Sequence, residues 1–405
     1  MSGSRTEAVP VSTIYERLGV PVIINAKGPS TRLSGSLLPD EVAEAMREAS
    51  QHCVDMTDLQ ARASEIIAEA TGAEAGYVTA GAAAGLLLGT AACVTGLDPG
   101  KMNRLPDTSG MRCEVVMVRS QRNFYDHAVR GAGVRLVEVG IADRFSGAGV
   151  RDAEAWEIAD AITDKTAAVH YVATPWSRPA LSEVVRVAHA AGVPVLVDAA
   201  AQLPPATNLR RFIAEGADLV VFSGGKALRG PQASGILCGR RDLVMAAALQ
   251  HLDLDIPWEL WDPPPGLIDK SLLPGAPHHG VGRPCKVGKE EIVGLLTALR
   301  LFLAEDPERR REHWLALSEA LLAEFAGLNS ASARILPGEV PLVALTLDEA
   351  ALGYGAMTLV KRLQEASPSI RADPARTHEA TVIFNPLCLK DDEPEAIGRA
   401  VRALL

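Results

Sequence analysis

Several absences narrow what this 405-residue chain can be. Its six cysteines (Cys53, Cys93, Cys113, Cys238, Cys285 and Cys388) stand far apart and form no CxxC pair. That argues against a structural zinc and fits a reducing compartment. No block of Lys or Arg occurs, and 50 acidic residues outnumber 40 basic ones for a net charge of −10. Such a balance speaks against nucleic acid or a membrane surface as the main partner, while local basic sites for anionic small molecules stay open. The N-terminus lacks the charged-then-apolar order of a secretion signal, so a cytoplasmic location is expected. Ala75 to Leu97 carries no charge but is rich in Gly, Ala and Thr and breaks at Thr79-Ala-Gly81. It reads as a short strand followed by a buried helix, not as a membrane span.

Common motifs are missing too. Gly224-Gly-Lys-Ala227 has neither the upstream glycine nor the following Ser/Thr of a P-loop, and Gly131-Ala-Gly133 lacks the third glycine of a dinucleotide fingerprint. His278 and His279 are adjacent, a poor spacing for a metal, so no metal site is expected. No Gly-x-Ser-x-Gly falls at a strand-to-helix turn.

What is present is a large apolar fraction, 48%. It suffices for an extensive core, with disorder expected only over Met1 to Ser12. Between residues 57 and 240 strand and helix signals alternate. Thr57-Asp-Leu-Gln60 reads as a capping box opening a helix that Gly72 closes. Apolar strand runs follow at 76–78, 115–118, 135–139, 167–172, 193–197, 219–222 and 235–238, with helices at 182–191 and 208–215 among those between them. Near-continuous Val/Leu/Ile strands separated by helices imply an α/β fold with a mostly parallel central sheet covered on both faces. The last two strands are joined without a helix, so one of them is expected to run antiparallel. After Gly288 a helix with Ile292, Leu295, Leu296, Leu299 and Phe302 at helical spacing opens a smaller α+β domain. A second helix at 309–325 and short strands at 340–347 and 381–384 complete it. The expected division is an N-terminal arm (1–40), a large domain (41–280) and a small one (281–405).

Three features carry chemistry. Thr79-Ala-Gly-Ala-Ala-Ala-Gly85 is a strand end passing into a helix start of tiny side chains, where free N–H groups and the helix dipole suit a phosphate. The same stretch also reads as a tightly packed helix. Asp198 ends Val193-Pro-Val-Leu-Val-Asp198, and carboxyl ends of parallel strands are where such folds place ligands. A carboxylate there can be a helix cap or can pair with a pyridinium nitrogen. Lys226, 28 residues later, follows the run Leu219-Val-Val-Phe-Ser-Gly-Gly. A lysine desolvated at the mouth of buried strands becomes nucleophilic and suits a Schiff base with a carbonyl cofactor.

These residues resemble pyridoxal-phosphate enzymes of the aspartate-aminotransferase fold (fold type I). Within them they are most similar to the family of D-glucosaminate-6-phosphate ammonia-lyase and bacterial selenocysteine synthase. The matching stretches are Ile24-Asn25, Thr31-Arg-Leu-Ser-Gly-Ser36, 78–84, 197–205, Phe222-Ser-Gly-Gly-Lys-Ala-Leu-Arg-Gly-Pro-Gln232 and Gly282-Arg-Pro-Cys-Lys-Val-Gly-Lys289. The resemblance implies pyridoxal 5'-phosphate held covalently by Lys226, with Asp198 on its ring nitrogen. Gly81, Ala82 and Ala83 would bind its phosphate with Ser223 as a hydroxyl donor, His127 would stack on the ring, and Gln202 would bond the phenolic oxygen. Arg283 and Lys286 resemble the basic pair that faces substrate, Asn25 and Arg32 would add contacts, and Arg371 or Arg376 would take a carboxylate. Lys27, Pro29 and Cys285 depart from the lyase-like pattern and place the sugar-phosphate substrate in question. The implied activity is α-proton removal from an amino acid or amino sugar acid, foremost β-elimination to a 2-keto acid and ammonia. Racemisation or epimerisation, then aminotransfer, are the alternatives, with a silent cofactor-binding protein outside the enzyme class. A homodimer or higher oligomer is implied.

Overall fold

The computed structural model describes residues 13–141 and 152–405. The expectation of disorder over Met1 to Ser12 lies outside the described residues. Contacts group the chain into two compact units, Ser34–Pro307 and the segment up to Leu33 together with Glu308–Leu405. Among the described residues no helix is long and apolar enough to cross a membrane.

The larger unit is built on seven strands: β1 (Ala75–Thr79), β2 (Glu114–Val118), β3 (Arg135–Val139), β4 (Thr166–Val172), β5 (Val195–Asp198), β6 (Leu219–Ser223) and β7 (Gly235–Gly239). Their lateral order is β1-β7-β6-β5-β4-β2-β3. All neighbours from β6 to β3 run parallel, while β7 is antiparallel to both β6 and β1. The helix-free link from β6 to β7 permits that reversal, as expected from the sequence.

Six helices matter for the site: α1 (Asp40–Ala49), α2 (Met56–Thr71), α3 (Ala82–Thr95), α4 (Asp126–Gly131), α5 (Arg241–His251) and α6 (Lys289–Ala304). Along β5 and β6, Val195, Val197, Val220 and Phe222 join the core under α2 and α6, whereas Leu196, Leu219 and Val221 join the core under α3 and α5. A strand covered on both faces must be apolar at every position, which is why these runs lack the alternation of a half-exposed strand. Each such side chain contributes about 1.5–3 kcal/mol on burial.

The capping box was misread. Asp55 is the N-cap of α2, its Oδ1 accepting from the Thr57 N–H at 2.7 Å, and Gly72 closes the helix in the left-handed region at φ 72°. Gln60 instead turns inward: its Nε2 donates to the Val78 carbonyl at 2.8 Å and its Oε1 accepts from the Val78 N–H at 3.0 Å. β1 is the edge of the sheet, and the Gln60 amide takes the place of a neighbouring strand there. Ser64 Oγ does the same for the Gly76 N–H at 3.0 Å.

In the smaller unit Ile23–Ala26 pairs in parallel with Ser369–Ala372, and Leu342–Leu347 lies between Ala331–Leu336 and Thr381–Phe384 in an antiparallel sheet. Leu317, Leu321, Leu359, Leu363 and Ile397 from its helices fill the core. The expected helix and strands at 309–325, 340–347 and 381–384 are present to within two residues. The strands at 23–26, 331–336 and 369–372 carry no strong signal of their own, and the two that pair in parallel come from opposite ends of the chain.

Candidate active site

The carboxyl ends of β6, β5, β4 and β2 form one rim. Asp198 is the last residue of β5, paired in register with Val221 of β6 and Val172 of β4. It is 8% exposed, and its Oδ1 accepts from the Ala200 N–H at 3.0 Å. Lys226 follows β6 in the turn to β7, and its carbonyl is pinned by Ser36 Oγ at 2.8 Å and by the Arg229 N–H at 2.9 Å. That fixes the backbone while the half-buried amine makes no hydrogen bond to any described residue. Burial pushes the Lys226 amine below the ordinary lysine range, and the nearby Asp198 carboxylate opposes the shift. The result is an amine more readily neutral than a surface lysine, beside a buried anion.

Gly81 caps α3 at φ 85°, without any side-chain cap. The first helical bond runs from the Gly85 N–H to the Gly81 carbonyl at 3.2 Å, so the N–H groups of Ala82 and Ala83 have no acceptor among the described residues. Gly235 of β7 presses against this corner: a Cβ there would lie 2.5 Å from the Gly81 carbonyl carbon and 2.7 Å from the Ala82 nitrogen. The sequence therefore leaves open, uncapped amides at the start of a 14-residue helix, the donor set that a phosphate needs. Uncapped amides, a buried carboxylate and a softened amine on one sheet together fit pyridoxal phosphate.

Ser223 ends β6 and is half-buried, as is Gln202, whose carbonyl accepts from Asn208 Nδ2 at 2.6 Å. His127 is exposed on α4, after Asp126, whose Oδ2 accepts from Arg122 Nε and whose buried Oδ1 has no hydrogen-bond partner among the described residues. Sequence reasoning missed His170. It lies on β4 opposite Leu196, two residue pairs back from Asp198 and so on the same face, and is 2% exposed. Its Nδ1 donates to the Leu196 carbonyl at 3.2 Å. Burial holds its imidazole below the usual range, against the pull of Asp198. An imidazole inside an otherwise apolar strand was the available signal.

Arg283 and Lys286 do not join this rim; they line a cavity of about 520 Å³ with Tyr77, His251, Asp253 and Glu291. Arg283 pairs with Asp253 at 2.7 Å, while Lys286 has no partner among the described residues. The helix that follows, α6, begins at Lys289 with Glu290 and Glu291 in its first turn, acidic side chains that suit the helix dipole. Tyr77 and His251 share a hydrogen bond of 2.8 Å, and His251 Nε2 donates to the Cys285 carbonyl at 3.0 Å.

In the smaller unit the Asn25 side chain is spent on its own turn, donating to the Gly28 carbonyl at 3.2 Å and accepting from the Lys27 N–H at 3.1 Å. Lys27 pairs with Asp373 at 3.0 Å. Arg32 is exposed in the short turn Thr31–Leu33. Arg376 is neutralised by Glu379, whereas Arg371 has a buried Nε with no acceptor among the described residues.

Residues 23–254 match the family model described as "SelA: L-seryl-tRNA selenium transferase". The chain is 34% identical to a 5'-C-glycyluridine monooxygenase-decarboxylase of Streptomyces sp, over 96% of this chain and 92% of that protein. It is 29% identical to the D-glucosaminate-6-phosphate ammonia lyase of Salmonella typhimurium (strain 14028s / SGSC 2262), over 96% and 97%. A solved D-glucosaminate-6-phosphate ammonia-lyase superposes with a TM-score of 0.80 at 28% identity, covering 97% of this chain and 98% of that one. The chain belongs to the SelA family of pyridoxal-phosphate-dependent enzymes.

Proposed function

We propose that this enzyme removes the α-proton of an amino acid carrying a sugar-derived chain and eliminates a β-substituent, giving a 2-keto acid and ammonia. The observation that carries the reading is the pairing of a desolvated, hydrogen-bond-free Lys226 amine with the buried Asp198 carboxylate on adjacent strand ends. When bound, the cofactor supplies an electron sink for the carbanion. Asp198 would hold the positive charge of the ring nitrogen, and the Ala82 and Ala83 amides would hold the phosphate, with Gly81 shaping the turn and Ser223 as a further donor. Lys226 would hold the aldehyde, and its free Nζ would take the α-proton as general base. His127 would cover the ring face, and Gln202 would bond its phenolic oxygen.

Two relatives favour this substrate class, since one acts on D-glucosaminate 6-phosphate and the other on 5'-C-glycyluridine. Oxygen-coupled decarboxylation is the second reading, favoured by the 34% identity to the relative with that activity. The cavity lined by Arg283 and Lys286 does not include Lys226. We read these cations as serving the substrate of a second copy in a homodimer, the arrangement that the resemblance implies. Incubating the loaded enzyme with β-hydroxy amino acids and amino sugar acids, while measuring keto acid, ammonia, carbon dioxide and oxygen uptake, tests the reading. Keto acid with ammonia supports elimination. Oxygen uptake with carbon dioxide favours the second reading. Solvent deuterium at the α-carbon with no product of either kind would indicate a racemase.

A further inference from the structure

Two turns on the same rim spend large aromatic side chains on solvent. Phe124 is 96% exposed, Tyr125 56% and Trp176 76%, in a chain whose aromatic content is only 4%. Phe124 and Tyr125 follow β2, and Trp176 follows β4, the strand between β2 and the Asp198 strand β5.

Both turns are rigid. Gln121 ties them together, its Oε1 accepting from the Val172 N–H at 2.9 Å and its Nε2 donating to the Arg178 carbonyl at 3.3 Å. Below Trp176, Ser177 Oγ donates to the Val172 carbonyl at 2.7 Å and accepts from the Thr174 N–H at 3.0 Å. Below Phe124, Asn123 Oδ1 accepts from the Tyr125 N–H at 2.8 Å. An aromatic held on a rigid turn surrenders little entropy when a ligand lands on it, so its exposed face is suited to recognition.

Two of the cations of these turns are paired with carboxylates, and a third turns to the backbone. Arg122 pairs with Asp126 and Glu138, Arg119 with Glu138 at 3.1 Å, and Arg178 donates to the Ser177 carbonyl at 2.9 Å. Two of the three guanidiniums there are already held by carboxylates, whereas a flat ring finds exposed aromatic faces. Three strand spacings, roughly 14 Å, separate the Lys226 strand from that of Phe124. That span exceeds an amino acid and suits a substrate with a long distal part.

We infer that Trp176 and Phe124 are specificity residues that stack on a flat heterocycle of nucleobase size, borne by the substrate at the end remote from its amino group. The inference rests on the reading that Lys226 and Asp198 hold the reacting carbon.

The test is equilibrium dialysis of full-length protein loaded with pyridoxal phosphate, using uridine and ribose 5-phosphate as probes. Wild type should bind uridine saturably and more tightly than ribose 5-phosphate. Trp176→Ala and Phe124→Ala should weaken uridine binding by about tenfold or more, the scale of a lost base stack, and Trp176→Phe should retain most of it. No saturable uridine binding, equal binding by the alanine variants, or tighter ribose 5-phosphate binding overturns the inference. A change of mass by sedimentation in Trp176→Ala also overturns it, because the aromatics would then belong to an interface between copies. The lysine-linked cofactor absorbance is recorded in the same samples. If it persists while uridine fails, the aromatic rim alone is wrong; if wild type never shows it, the reading of Lys226 falls as well.

Discussion

Two charged regions of the larger unit differ in how their charges are matched. Around Arg283 nearly every group is answered: Asp253 takes Arg283, Lys289 pairs with Glu290 at 2.5 Å, and His251 lies between Tyr77 and the Cys285 carbonyl. At the rim of β5 and β6, the Lys226 amine makes no hydrogen bond to any described residue and Asp198 takes one, from a backbone amide. Buried ionisable groups left this poorly satisfied cost stability, and folds retain such costs mainly where a ligand completes the arrangement. The contrast supports the proposal that the reacting groups lie at the second region, while the first keeps Lys286 as its one uncommitted cation among the described residues.

Breaking the rim should have the largest effect. Lys226→Ala is expected to abolish the cofactor linkage and lower turnover by about 10³-fold or more, read by initial rates and visible absorbance. Asp198→Asn should follow, with a loss on the order of 10²-fold. It also carries a sign. Burial lowers the Lys226 pKa and Asp198 raises it, so removing the carboxylate should move the amine's apparent pKa further down. Cofactor capture measured against pH should rise to its plateau below about pH 10.4 in the wild type and at lower pH still in Asp198→Asn. An upward movement would contradict the assignment.

Away from the ionic groups, Gly235→Ala should weaken cofactor affinity about tenfold, because its methyl would press on the amides at Gly81 and Ala82. Fluorescence titration with pyridoxal phosphate checks this. Gln60→Leu should cost about 1–3 kcal/mol in urea unfolding, by orphaning both backbone groups of Val78 at the edge of β1. Arg376→Ala marks the lower end of the scale. Its exposed pair with Glu379 predicts unchanged melting and unchanged substrate saturation.

The sheet was legible because strands buried on both faces write themselves as unbroken apolar runs, and the link around Lys226 betrayed its reversal by lacking a helix. Lys226, Asp198 and the Gly81 corner were legible for a related reason: each sits where such a run stops. What stayed hidden depends on partners far away in sequence. Gln60 looked like a cap because Thr57 stands three residues before it, and nothing local says that Val78 needs an amide. Arg376 looked free until Glu379 folded beside it, and Arg371 became notable only once its Nε was seen buried without an acceptor. His170 required knowing that β4 lies next to β5.

The most direct test is borohydride reduction of the loaded protein, followed by peptide mass mapping. The account predicts a single pyridoxyl adduct, on Lys226. A fixed adduct on any other lysine, or none in a protein that retains turnover, would contradict it.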